Sequence, residues 1–202
     1  MSNPSVTQKR VDGRTKRWES HRVNRRKTLL ERSRKAIHYL GPEASMTQIA
    51  AYMGTSKVIL YRYFADRNQL ITEICEGSVN TSVSVMLKAA QTQGAPSEQL
   101  RNLVFSYLQL VSCSPNIYEL VVHNRAQLLI EASQKLARNA ALRANFLAAY
   151  AEKGQEPWEV DYRLAMFAGT VIESADYWIH NSNALTGPTA AELSDKLILW
   201  LL

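Results

Sequence analysis

The sequence predicts an all-α chain, and three observations carry that expectation. Gly and Pro together make only 14 of its 202 residues, about half of the roughly 12% usual in proteins. That is too few breaks for a many-stranded sandwich or barrel. Apolar residues recur at spacings of three and four through most segments, the period of one helical face. Hydroxyl and acidic residues open several of these segments, and Gly or Pro closes them, as helix ends require. No strand candidate and no internal repeat emerges, and about nine helices are expected.

Residues 1–17 read as a polar, basic arm without apolar periodicity. A first helix runs from Trp18 or Arg22 to Leu40, with Leu29, Ser33, Ala36, Ile37 and Leu40 on one face and Gly41-Pro42 ending it. Ser45-Met46-Thr47-Gln48 reads as a capping box for a short helix that stops at Gly54. Ser56 caps another, to Phe64, and Asp66 opens a long one through Gln91, striped by Leu70, Ile71, Ile74, Cys75, Ser78, Val85, Met86 and Ala89. Ser97 is expected to cap a helix over 98–111. Pro115 starts a short one to His123, and the pattern resumes from Arg125 to Glu152 in one piece or two. Helices over 159–181 and 189–202 close the chain.

Two cysteines, Cys75 and Cys113, cannot build a disulfide framework and fit a reducing cytoplasm. No segment reaches the ~18 apolar residues of a membrane span, and the N-terminus lacks a signal-peptide core. The four histidines are scattered, without a His-x-x-x-His or Cys-x-x-Cys pair, and no phosphate loop or nucleophile elbow is present. No catalytic residue, metal or cofactor is therefore expected, and a small helical enzyme is the weakest reading. Either cysteine fits a small buried hydrophobe better than a nucleophile.

Charge is divided along the chain. Residues 1–70 carry 15 Lys and Arg against 5 Asp and Glu, while the rest carries 9 against 13. One end is built to meet a polyanion: nucleic acid, whose phosphates release counterions on neutralisation, or an anionic membrane surface. A solvated basic tail is the plain alternative.

The segment Ser45 to Leu70 is the most informative. Two short helices with Gly54 at the joint form a helix-turn-helix pattern. Ile49, Ala50, Met53, Leu60 and Phe64 supply the contacts between them, leaving Lys57, Val58, Ile59, Tyr61, Arg62 and Tyr63 outside. Read from Met46-Thr-Gln-Ile-Ala-Ala-Tyr-Met-Gly-Thr-Ser-Lys-Val-Ile-Leu-Tyr-Arg-Tyr-Phe-Ala-Asp-Arg-Asn-Gln-Leu70, the stretch resembles the DNA-binding signature of TetR-family transcriptional regulators. Tyr63 stands where that family usually has His, Arg67 where Lys is usual, and Thr55 where Val is common.

The resemblance implies a DNA-binding head over 18–65 and a ligand-binding, dimerising body over 66–202. It implies a phosphate contact at Ser45, a groove-facing Thr47, and base-edge or groove contacts from Lys57, Val58, Ile59 and Arg62, with Ser56 also among the DNA-binding residues. Tyr61, Tyr63 and Arg67 would anchor phosphates. The basic arm, with Arg14, Lys16 and Arg17, would follow the backbone or enter the minor groove, and the arm charges considered extend to Arg26. The last two helices would build a two-fold interface from Ala175, Trp178, Leu193, Leu197, Trp200 and Leu201, with Phe167 and Val171 able to contribute.

Tyr118-Glu-Leu-Val-Val-His-Asn-Arg125 and Phe167-Ala-Gly-Thr-Val-Ile-Glu-Ser-Ala-Asp-Tyr-Trp178 resemble an actinobacterial branch of that family that includes regulators of lipid metabolism. This implies a hydrophobic effector, a fatty acyl group or acyl-CoA, in a channel walled by Phe105, Leu108, Val121, Leu129, Phe146, Tyr150, Phe167 and Val171. The expected function is a cytoplasmic, ligand-responsive repressor binding palindromic operator DNA as a homodimer. The alternative is a DNA-binding regulator without small-molecule input, governed by a protein partner or by abundance.

Overall fold

The computed structural model describes residues 13–150, 157–181 and 187–201. The segments 1–12, 151–156 and 182–186, and the side chains of Arg14 and Lys16, lie outside the described residues. Nine helices occur among the described residues: α1 (Gly13–Leu40), α2 (Met46–Tyr52), α3 (Lys57–Tyr63), α4 (Arg67–Ala89), α5 (Pro96–Cys113), α6 (Pro115–Ala137), α7 (Ala140–Tyr150), α8 (Pro157–Asn181) and α9 (Ala190–Leu201). The all-α class is as expected.

Three boundaries differ from the sequence reading. Helix α1 already includes Gly13, so residues 13–17 are helix rather than arm; Lys and Arg sit in helices at little cost, and charge alone does not break one. Helix α5 begins at Pro96 with Ala95 as its N-cap, not Ser97. Proline suits the first helical position, and the Glu98 carboxylate accepts the Ala95 N–H at 3.1 Å. The expected interruption near Arg125 is a kink inside α6, where Arg125 leaves helical geometry (φ −148°, ψ 47°).

Two hydrophobic cores are visible. The head core joins Leu29, Ala36 and Ile37 of α1 to Ile49, Ala50, Leu60, Phe64 and the start of α4. Its last members, Ile117, Leu120 and Val121, come from α6. Burying such side chains stabilises by roughly 1.5–3 kcal/mol each, so the head is fastened to the body by packing as well as by chain connection. The Asn116 amide adds a hydrogen bond to the His38 carbonyl (2.8 Å). The body core gathers α4, α5, α7, α8 and α9 around Leu103, Leu108, Phe146, Leu164, Phe167 and Val171. The Phe146 and Phe167 rings meet edge to face at 4.9 Å.

Candidate nucleic-acid interface and body cavity

Helix α2 is started by its cap and stopped by glycine. The Ser45 hydroxyl accepts the Gln48 N–H (3.3 Å) and donates to the Gln48 side-chain oxygen (2.8 Å), which also accepts the Ser45 N–H (2.9 Å). At the other end Gly54 takes φ +64°, a conformation that glycine reaches without a Cβ penalty. The Thr55 N–H then bonds the Ala50 carbonyl (2.9 Å) and the Gly54 N–H bonds Ala51 (3.0 Å), satisfying carbonyls that the helix end leaves over. This turn sets α3 across α2.

Leu60 and Phe64 anchor α3 with no exposed surface. Lys57, Val58, Tyr61 and Arg62 remain exposed, at i, i+1, i+4 and i+5, and so share one helical face. Val58 is 64% exposed and offers a branched apolar group to whatever this face meets. Ser56 caps α3 through backbone geometry alone and makes no side-chain cap bond. Thr47 is exposed beside it on α2, as is Gln48, which the sequence reading did not select.

Five positions make contacts within the head. Ile59 and Tyr63 are half-buried against the head core, because they lie on the side of α3 that turns towards Leu60 and Phe64. The Ser45 hydroxyl is engaged in its own capping box. The Arg67 guanidinium donates to the carbonyls of Ala44 (3.0 Å) and Pro42 (2.7 Å) and so closes the α1–α2 loop. Arg26 pairs both terminal guanidinium nitrogens with the Glu73 carboxylate and lies over the Phe64 ring at 4.8 Å. Each of these cations stabilises the head; neither projects from it. Arg17, Arg22, Arg25 and Lys27 are exposed along α1.

In the body, a cavity of about 110 Å3 opens between α4, α5 and α6. Val83, Met86, Val111, Leu129, Ala132 and Leu136 make much of its apolar wall. Ile117 and Val121 belong to this wall and to the head core alike. Two surface clefts, of about 290 and 350 Å3, flank the second half of α6 on its α4 and α8 sides.

Of the wall residues expected from sequence, Val121 and Leu129 line the cavity. Leu108, Phe146, Tyr150, Phe167 and Val171 do not: they are buried against one another in the body core. Phe105 is half-buried near the Arg101 guanidinium (5.8 Å). Large apolar side chains at helical spacing close a core as readily as they line a channel. Residues that reading passed over, Tyr107, Tyr118, Ala132 and Leu136, line the cavity instead.

Most residues expected at a two-fold interface are covered within the chain itself. Ala175 and Leu197 are buried in the body core, and Leu193 and Leu201 pack on it half-buried. Trp178 packs there too, its indole N–H bonded to the Pro188 carbonyl (2.8 Å). Trp200 alone of that set is strongly exposed, at 69%. The uncovered large apolar residues of α8 are Trp158, Tyr162, Met166 and Tyr177, with Leu199 beside Trp200 on α9. Helix α8 is apolar on two sides, and periodicity alone does not say which side meets the core.

At the α6–α8 junction the His180 ring bonds Glu119 through Nε2 (2.5 Å) and the Asp176 carbonyl through Nδ1 (2.8 Å). His123 approaches Glu119 at 3.2 Å, and the Tyr118 hydroxyl donates to Asp176 (2.8 Å). These contacts raise the His180 pKa, the Asp176 carbonyl first among the causes that do so. Burial pushes the Cys75 thiol up to about 11, so it stays protonated and unreactive. Among the described residues no group of three or more His, Cys, Asp and Glu is placed to hold a metal ion, and no helix is long and apolar enough to cross a membrane.

No profile of a known protein family matches the chain. An uncharacterised HTH-type transcriptional regulator of Mycobacterium tuberculosis is 34% identical over 163 residues, spanning 77% of this chain and 69% of that one. The HTH-type transcriptional activator FasR of Mycolicibacterium smegmatis is 25% identical over 151 residues, 74% of this chain and 69% of its own length. Among solved structures, the transcriptional regulator FadR from Bacillus subtilis in complex with stearoyl-CoA superimposes with a TM-score of 0.64 at 15% identity, over 86% of this chain and 95% of that one. With the α2–turn–α3 unit, the nine-helix order and these relatives together, the chain belongs to the TetR family of helix-turn-helix transcriptional regulators.

Proposed function

We propose that the chain is an effector-responsive repressor that binds near-palindromic operator DNA as a homodimer. Its effector is a hydrophobic molecule, a fatty acyl group or acyl-CoA, held in the cavity between α4, α5 and α6. The observation that carries the reading is the double duty of Ile117 and Val121, which form both cavity wall and head core. An occupant that displaces α6 must also disturb the packing that orients α3. The stearoyl-CoA in the FadR complex supports the choice of ligand class.

The reading surface on DNA is Lys57, Val58, Tyr61 and Arg62, with Thr47 and Ser56 beside them. Arg favours guanine edges and small apolar groups favour the thymine methyl. The residues before Trp18, Arg14, Lys16 and Arg17 among them, add phosphate contacts whose strength falls with salt. A second copy packs on Trp158, Tyr162, Met166, Tyr177, Leu199 and Trp200, and two symmetry-related α3 helices then meet half-sites one or more turns apart.

The occupant must bind the DNA-incompetent state more tightly, since equal affinity for both states moves nothing. Fluorescence anisotropy on a duplex selected from a random library, titrated with palmitoyl-CoA, tests the reading. The expected result is release of DNA; tighter binding would make the effector a corepressor, and no response at all would remove it. FasR is an activator, so the repressor reading needs its own test: a reporter fused to the selected site must fall, not rise, when the protein is expressed.

The size of the cavity favours a second reading. At about 110 Å3 it lies below the ≈300–1,000 Å3 of ordinary ligand sites, as expected for a regulator controlled by a protein partner or by its own abundance. The clefts on both sides of the α6 second half favour the first reading, because they leave that segment room to move outward.

A further inference from the structure

The cavity carries one charge, and it comes from the head. Arg34 of α1 lines the cavity mouth, and the remaining described lining residues are apolar, hydroxyl-bearing or thiol side chains from α4, α5, α6 and α8. No carboxylate is among them. The Arg34 Nε donates to the Ser78 hydroxyl at 3.4 Å, and no carboxylate pairs with the guanidinium among the described residues. Its Nη groups are turned to no protein acceptor there, and a guanidinium presents five N–H donors.

The hydroxyls at the mouth are not alike. Thr81 and Ser82 donate back to the Gly77 and Ser78 carbonyls (2.8 and 3.0 Å). Ser78 Oγ accepts from Arg34 and keeps its own hydrogen. The mouth therefore offers a delocalised cation and one adjacent O–H donor, with no acidic neighbour among the lining residues to repel an anion. The Tyr107 hydroxyl, on a side chain only 5% exposed, lines the same cavity without a hydrogen-bond partner. An orphaned hydroxyl costs free energy unless an occupant supplies an oxygen.

We infer that the cavity takes an amphiphile whose anionic end, a carboxylate or a phosphate, sits on Arg34 and Ser78 while its apolar chain enters between α4, α5 and α6. This rests on the effector reading above and goes beyond it. The ligand is tied through its charge to the first helix of the head, so occupancy is communicated to α1 directly as well as through Ile117 and Val121. A neutral lipid of equal length fills the chain site without making that tie.

The full-length protein is titrated calorimetrically with decanoate, decanol and decanoyl-CoA, as wild type, Arg34→Gln and Arg34→Glu. An exposed ion pair is worth about 1 kcal/mol, or roughly fivefold in affinity. The preference for decanoate over decanol should therefore fall about fivefold in Arg34→Gln and further in Arg34→Glu, with decanol binding and thermal stability unchanged. Loss confined to decanoyl-CoA identifies the phosphate as the anion; loss confined to decanoate identifies the carboxylate. Decanoate should also slow amide exchange along α1 in wild type and not in Arg34→Gln.

Unchanged preferences for both decanoate and decanoyl-CoA over decanol in the two variants overturn the assignment of Arg34 and leave the effector reading standing. Failure of all three probes to bind the wild type removes both.

Discussion

Arg26 and Glu73 face each other across the head, with the two terminal guanidinium nitrogens of Arg26 on the two carboxylate oxygens of Glu73. The pair joins α1 to α4 and holds the Arg26 guanidinium over the Phe64 ring. A basic residue that looks like a DNA contact in a list of charges is thus a brace between the helix that enters the head and the one that leaves it. The Arg26→Gln variant should lose about 1–2 kcal/mol of stability, from a bidentate pair and a cation–π contact. A melting temperature lower by a few degrees checks this. A variant that melts like wild type but binds DNA weakly would return Arg26 to the DNA surface.

On α3, Lys57→Ala and Tyr61→Phe should each weaken binding to a selected duplex about five- to tenfold, with melting unchanged, because both side chains are exposed and hold no core contact. Ile59→Val, on the half-buried side, should leave affinity within about twofold and cost roughly 1 kcal/mol of stability. If Lys57 and Tyr61 prove silent in anisotropy titrations, the exposed face of α3 is not the surface that meets DNA.

Gly54 and Gly77 make a matched comparison. A Cβ added at either meets nothing within 4 Å, but Gly54 has φ +64° and Gly77 is inside α4. Gly54→Ala should destabilise by about 1–2 kcal/mol, through the left-handed backbone alone. Gly77→Ala should stabilise by about 0.5–1 kcal/mol, since glycine is a poor helix residue. Urea unfolding midpoints for the two variants should move in opposite directions.

For the proposed two-fold surface, wild type should sediment as a dimer and Tyr162→Arg and Trp200→Glu as folded monomers in sedimentation velocity, because these side chains are solvent-facing in the single chain. Ala175→Leu should instead overpack the body core and cost about 1–3 kcal/mol. A Tyr162→Arg, Trp200→Glu double variant that stays dimeric would place the partner elsewhere.

His180 makes the α6–α8 junction sensitive to pH. Both ring nitrogens face oxygens, on Glu119 and Asp176, and only the protonated ring donates to both. The folded protein therefore holds the proton more tightly than the unfolded chain does. The resulting stabilisation is fully present below the unfolded histidine value, near 6.5, and is lost as pH rises through the higher folded value. His180→Gln should melt below wild type at pH 6, and the gap should narrow by pH 9.

Much of the fold was legible because its signals are local. The Ser45–Gln48 box, Gly54 and the Asp66 cap are short-range devices whose chemistry is written in adjacent residues, and each is where the sequence put it. The place of the irregularity at Arg125 was legible too, though it is a kink inside α6 and not a break between helices. What failed was the direction in which side chains face. Phe167, Val171 and Ala175 share helical periodicity with Tyr162, Met166 and Tyr177, and nothing local says which stripe another helix will cover. The contacts of Arg26 and Arg67 were hidden for the same reason. Their partners, Glu73 and the carbonyls of Pro42 and Ala44, are distant in sequence, so the fates of these charges were settled by tertiary contacts. Arg34 belongs to that class, and its place at the cavity mouth has no signature in the neighbouring residues.

Ile117 and Val121 are shared property of two regions with different tasks. Substitutions that reshape the cavity at these positions also loosen the packing that seats α3. The tunable part of the wall is Ala132 and Leu136 in the second half of α6, which belong to the body core and not to the head core. Libraries confined to those two positions should change what the protein senses while sparing the sequences it recognises.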